Sequence, residues 1–181
     1  LHQNGLSKIP KTIAELGPGD SIGTGLAGLL SGSEQFYALD VIEHTNLKKN
    51  ISIFDELITL FANHSALPDD TEFPRAIPRL DSYNFPSEIF VNGEIERSLD
   101  KSRIKSLRNE LIDMEKQKKS IQYMCPWNDP KIIENNSVDL VFSQAVLEHV
   151  EDLKHTYESM YKWVKKGGYI SNAIDFESHG L

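Results

Sequence analysis

Glu15, Gly17, Gly19 and Asp40 are the residues whose types and spacing point to chemistry. The apolar run Thr12-Ile13-Ala14 ends in Glu15-Leu16, and two glycines follow on either side of Pro18. This order reads as a buried strand entering a tight turn, with a helix opening behind it. Glycine reaches positive φ and admits a ligand where a Cβ would clash. The first N–H groups of a helix lack intrahelical partners and can hold a polar or anionic group. Further on, Asp40 closes the run Phe36-Tyr37-Ala38-Leu39. A carboxylate at the tip of the neighbouring strand is placed to accept the hydroxyls of a ribose. Together these features imply a site for a nucleoside-containing cofactor.

The dinucleotide fingerprint requires a third glycine where Ile22 stands, which argues against a nicotinamide-dependent oxidoreductase, the first alternative. Gly23-Thr24-Gly25-Leu26-Ala27-Gly28 fits the same pattern. It follows no strand, however, and falls inside the expected first helix. No Gly-Lys-Ser/Thr follows the glycines, so a P-loop is excluded.

Three segments in order resemble the class I S-adenosylmethionine-dependent methyltransferases, nearest to their type 11 group. Glu15-Leu16-Gly17-Pro18-Gly19-Asp20 resembles the family's first motif, an acid, any residue, Gly, any residue, Gly. Asn136-Ser137-Val138-Asp139-Leu140-Val141-Phe142-Ser143 resembles its fourth strand, and Gln144-Ala145-Val146-Leu147-Glu148-His149-Val150 the helix after it. Trp163-Val164-Lys165-Lys166-Gly167-Gly168-Tyr169-Ile170 resembles the turn into the fifth strand. The resemblance covers residues 10–45 and 120–176.

It implies S-adenosyl-L-methionine as cofactor, held by Glu15, Gly17, Pro18, Gly19, Asp40, Pro126, Trp127, Ser143, Gln144 and Ala145. Glu15 would meet the ligand's ammonium or only hold loop N–H groups. Ser21 replaces a frequent third glycine and suits a helix N-terminus. Where many relatives carry an Asp that reads the adenine, this chain has Cys125-Pro126-Trp127-Asn128-Asp129. Asp129, a backbone carbonyl, or stacking by Trp127 would then take over that task. The implied reaction is direct displacement of a methyl group by a small-molecule or sugar-containing acceptor. The Trp127 and His179 regions resemble methyltransferases found near bacterial surface-polysaccharide genes, which points to a sugar hydroxyl. Such a step needs alignment and exclusion of water, not a protein nucleophile. An oxygen acceptor would use a base of near-neutral pKa, and His149, His179 and Asp175 are the catalytic candidates. His149 could equally be a packed histidine, and Asp175 and His179 could cap a helix. The second alternative is a non-catalytic scaffold that keeps the fold.

The chain has 181 residues, 39% hydrophobic and 25% charged, the composition of one globular domain. A net charge of −8 argues against nucleic acid, whose binding rests on cations neutralising phosphates. Lys116–Lys119 with Arg103, Lys105 and Arg108 reads as a solvated helix face. The single Cys125 excludes an internal disulfide. It suggests a reducing compartment, so a cytoplasmic location is expected. No apolar run is long enough to span a membrane, no signal peptide is evident, and the His/Asp candidates lack metal-ligand spacing. The oligomeric state is not legible. The chain also reads as a fragment, since the family's last two strands are not represented.

The elements that must position these groups alternate, which predicts an α/β fold. The expectation is a Rossmann-like doubly wound parallel sheet of order 3-2-1-4-5. A first helix is expected at 21–31, with Ile22, Leu26, Leu29 and Leu30 as its apolar face, and a third strand at Ile121–Met124. Far more chain separates Asp40 from Ile121 than one helix needs. Residues 46–97 therefore read as a helical and irregular insertion or lid within a single core at 1–181. It contains a helix at Ile53–Phe61, a segment with Pro68, Pro74, Pro78 and Pro86, and the rings Phe73, Tyr83, Phe85 and Phe90. A long helix is expected from Ser98, as cap, to Lys119. A second is expected from Gln144 to Lys165, with Val146, Val150, Leu153, Tyr157, Met160 and Val164 inward and Gly167 or Gly168 as its stop.

Overall fold

A computed structural model describes residues 5–6, 8–74, 79–91, 93–114 and 120–176. Five parallel strands form one sheet of order β3-β2-β1-β4-β5, as the alternation of elements predicts. They are β1 (Thr12–Leu16), β2 (Gln35–Leu39), β3 (Ile121–Met124), β4 (Val138–Gln144) and β5 (Val164–Ala173). The helices are α1 (Gly23–Leu30), α2 (Leu47–Ala62), α3 (Glu94–Ser98), α4 (Lys101–Ile112) and α5 (Leu153–Trp163). No helix among the described residues is long and apolar enough to cross a membrane.

The central strands are apolar on both faces, as a parallel sheet covered by helices requires. Along β1 and β2 successive residues enter opposite cores with the strand period of two. Ile13, Phe36, Ala38, Ile121 and Leu140 join Leu26, Leu29 and Leu30 of α1, Phe54 of α2, and Leu107 and Leu111 of α4. Ala14, Leu16, Tyr37, Leu39, Val138 and Val141 face Met160 and Trp163 of α5, with Trp127 and Ile133.

Ser21 is not the cap of α1. Ile22 holds the N-cap position without a side-chain bond of its own. Its N–H donates to Asn50 Oδ1 at 3.0 Å, and the Gly25 N–H donates to the Glu15 carboxylate. Distant polar groups thus cap the helix that carries the glycine turn. Gly25 itself is a contact glycine: a Cβ there would stand 2.0 Å from Phe36 Cζ. Both residues are buried, so Gly25→Ala must displace the ring. A loss of about 3 kcal/mol is expected, read as a fall in Tm of roughly 6–12 °C. An unchanged Tm would contradict this packing.

The insertion's helix starts earlier than expected, because Asn46 caps it by accepting the Lys49 N–H at 3.1 Å. Phe61 near its end meets Phe85 at 5.7 Å and Phe90 at 6.3 Å, and His64 stacks on Phe85. Tyr83 donates to Asp70, whereas Phe73 is exposed. Pro78 and Lys116–Lys119 lie outside the described residues.

Two helices differ from expectation. Ser98 ends α3, and Asp100 caps α4 by accepting from the N–H groups of Ser102 and Arg103. Arg103 is no solvated cation. Its Nη2 donates to the carbonyls of Leu29 and Ser33 at the end of α1, and Arg108 pairs with Asp55. The segment 144–165 is not one helix. β4 continues to Gln144, Ala145 turns at φ 51°, and Leu147–His149 make a 3-10 turn. Only then does α5 begin, with Asp152 accepting the His155 N–H at 2.9 Å. Its buried face is Thr156, Ser159, Met160 and Trp163, while Leu153 and Tyr157 are exposed. Buried hydroxyls fit because Thr156 and Ser159 donate back to the carbonyls of Asp152 and His155. α5 stops at Trp163 and passes straight into β5; Gly167 and Gly168 lie in that strand, at a register shift against β4.

Candidate cofactor cleft

The carboxyl ends of β1, β2 and β4 open onto a cleft of about 440 Å³. In open α/β sheets this is where ligands bind. Gly17 and Asp40 line it from the first two strands, Val41, Trp127 and Asn128 from the loops behind them. Val146, Leu147, His149 and Val150 follow from the turn after β4, and Glu151, Asp152, His155 and Thr156 from the start of α5. None of the described residues between 73 and 90 lines it.

Gly17 has φ 63° and donates its N–H to Leu39 O at 2.8 Å, which locks the turn onto β2. A Cβ there would lie 2.5 Å from Val146 Cγ2. The turn is therefore bare because a side chain from the loop after β4 lies over it. Gly19 has φ 70° and open space where a Cβ would point. Pro18 connects the two glycines and, like Gly19, is not among the residues lining the cleft.

Asp40 is buried at 5% exposure. Tyr123 donates its hydroxyl to Oδ2 at 3.2 Å, and the Gly19 N–H also bonds the carboxylate. Burial raises its pKa above the ordinary value, against the pull of these bonds and of His44. The same carboxylate helps push the Tyr123 phenol up to about 12, after burial as the main cause. Asp40 also fixes the loop after β3, since its carbonyl accepts the Trp127 N–H at 3.0 Å.

Glu15 lies below the turn at 6% exposure. Its carboxylate takes the Thr24 hydroxyl and the Gly25 N–H, yet Oε2 has no partner. Burial first, and the charge of Asp40 second, raise its pKa to about 7. Glu15 thus bonds the first turn of α1, not the loop N–H groups, and keeps one oxygen unpaired.

Ser143 is buried and donates to Asn172 Oδ1 at 2.8 Å. Gln144 is exposed, and the Ala145 N–H donates to Ala173 O at 2.9 Å. These three, and Pro126 after a cis peptide, border the cleft-lining loops without lining the cleft. Asp129 accepts the Lys131 N–H and caps a 3-10 turn. His149 lines the cleft and is exposed. Asp175 follows β5, apart from it, and His179 lies outside the described residues.

Sequence reasoning missed Val41, Asn128, Val146, Asp152 and His155 as cleft residues. It also missed Glu148, whose carboxylate oxygens are buried without partners. The signal for the α5 group was present, because Asp152 directly before Leu153 is a helix-start pattern.

Fold and cleft together define a Rossmann-like α/β domain with an open cleft at the carboxyl ends of its strands. Within it, residues 104–171 match a family model described as a methyltransferase domain, of the type 11 group. The match spans two of the three motifs that carry the resemblance to class I S-adenosylmethionine-dependent methyltransferases. It covers less than half of the chain, and β1, the glycine turn and Asp40 lie outside it. No curated protein matches. Among solved structures, the chain is similar to an S-adenosylmethionine-dependent methyltransferase from Mesorhizobium loti. Identity is 14% over 88% of this chain and 44% of that one, with a TM-score of 0.39. It is similar to phosphoethanolamine N-methyltransferase 2 of Haemonchus contortus in complex with S-adenosyl-L-methionine, at 16% identity over 93% and 25% of the two chains, TM-score 0.42. It is also similar to (S)-3-hydroxybutyryl-CoA dehydrogenase from Ralstonia eutropha, at 13% identity over 90% and 40%, TM-score 0.38. The chain spans less than half the length of each of these structures.

Proposed function

We propose that this chain is the cofactor-binding core of an S-adenosyl-L-methionine-dependent methyltransferase acting on a small-molecule or sugar-containing acceptor. The observation that carries the choice of cofactor is the charge of the cleft. Asp40, Glu151 and Asp152 line it, Glu15 lies beneath it, and among the described residues no Lys or Arg lines it. A cationic ligand with a sulfonium and an ammonium is stabilised there, whereas the pyrophosphate of a dinucleotide is repelled. The unpaired Glu15 Oε2 fits an ammonium, and the open space beside Gly19 leaves room for a ligand against the turn.

When bound, the cofactor supplies a methyl group already activated by its positive sulfur. Asp40 holds the ribose hydroxyls, and the turn at Gly17–Gly19 with Glu15 holds the amino-acid end. Val146 and Leu147 exclude water from the covered part of the cleft. His149, at its mouth, is placed to take the proton of an oxygen acceptor. Asp175 belongs to the segment after β5 that would face such an acceptor. An open cleft that reaches His149 favours catalysis over a non-catalytic scaffold.

Calorimetric titration tests the cofactor. S-adenosylhomocysteine is expected to bind at micromolar concentration, and NAD not at all. Binding of NAD in preference would make this an oxidoreductase domain; binding of neither would remove the reading.

A further inference from the structure

Adenine recognition is the task for which the sequence leaves several candidates, and the structure narrows them through the surroundings of Trp127. That indole is only 8% exposed. Trp163 meets it edge-on at 5.5 Å and 68°. His155 lies along its face at 6.4 Å with the rings 15° apart. Trp127 therefore has little free ring surface to offer a ligand.

His155 lines the same cleft as Trp127, but it is partly exposed where Trp127 is buried. Its backbone is fixed by the bond from its N–H to Asp152 Oδ1. Its ring is fixed by Nε2, 3.2 Å from the Asn128 carbonyl oxygen. That oxygen can only accept, so Nε2 carries the hydrogen. An imidazole held at one edge and backed by an indole is a rigid flat surface, and flat aromatic surfaces stack nucleobases. Val41, the residue after Asp40, lines the same cleft at 65% exposure and supplies an apolar second wall. Asp40 lines the same cleft, and a ribose held on its carboxylate brings an attached base into the space these residues share.

Resting on the reading of a nucleoside cofactor, we propose that His155 is the platform on which the purine ring lies, with Trp127 as its backing. His155 is in this sense a binding residue that sets the preference for a flat base. Neither the methyl group nor the acceptor touches it.

The test compares binding of S-adenosylhomocysteine and of 5′-methylthioadenosine, which keeps base and ribose but lacks the amino-acid end. His155→Ala and His155→Leu are expected to weaken both ligands by roughly five- to tenfold. His155→Phe, which keeps a flat ring and loses the Nε2 bond, is expected to stay within about twofold of the unaltered protein. The near-ultraviolet circular dichroism of Trp127 and Trp163 reports whether each variant is folded, and the leucine variant stands in if the alanine variant is not. Unchanged affinity in the alanine or leucine variant overturns the proposal and leaves the cofactor reading intact. A phenylalanine variant as weak as alanine also overturns it, because the role would then lie in the Asn128 bond. Failure of the unaltered protein to bind either ligand overturns both.

Discussion

Asp40→Ala is expected to weaken S-adenosylhomocysteine at least tenfold, since two hydrogen bonds to a charged acceptor contribute on the order of 3 kcal/mol. The expectation follows from where the carboxylate sits. It is buried, raised in pKa by that burial, and already bonded by Tyr123 and the Gly19 N–H. A carboxylate kept in such a place gains from two more donors that also carry the ligand. The fold should survive the change, because Asp40 sits at the strand tip while Phe36, Ala38 and Leu39 make the core contacts. Calorimetry on the folded variant decides; unchanged affinity would remove Asp40 from the ribose site.

The second large effect is in stability against pH. Burial and the charge of Asp40 raise the Glu15 pKa from 4.5 to about 7. A group whose pKa is raised by folding binds more protons in the folded than in the unfolded state. Its contribution is full below the unfolded value and is lost as pH climbs through the folded one. Between pH 4.5 and pH 8 the loss is about 3 kcal/mol. Glu15→Gln, which cannot ionise, should match the unaltered protein near pH 5 and exceed it in urea resistance near pH 8. Parallel stability curves across that range would show that Glu15 is not the buried acid described here. A bound ammonium favours the ionised carboxylate, so S-adenosylhomocysteine should bind more tightly as pH rises through 7, and the glutamine variant should lose that slope.

Much of the architecture was legible because the sheet is buried on both sides. The unbroken apolar run Phe36–Leu39 has few alternatives, and the strand order follows from helices alternating with parallel strands. Asp40 and Gly17 were legible for a related reason: both stand where such a strand ends. The stretch from Gln144 to Lys165 was not. Val146 and Val150 keep helical spacing with Leu153 and Tyr157, but they are walls of the cleft, whereas Leu153 and Tyr157 face outward. Burial periodicity cannot tell a cleft wall from a core contact, and the one local signal of a later helix start, Asp152 just before Leu153, is outweighed by that periodicity. His155 went unnoticed because its importance lies in Trp127 and Asn128, nearly thirty residues away in sequence. The cap of α1 was illegible on the same ground, since Asn50 and Glu15 supply it from other elements.

A crystal structure grown with S-adenosylhomocysteine tests the whole most directly. The expected result is a single bound molecule with its ribose hydroxyls on the Asp40 carboxylate, its ammonium beside Glu15 and its purine on His155. A nucleoside bound elsewhere, or none bound while the Gly17 turn stays covered only by Val146, would contradict it.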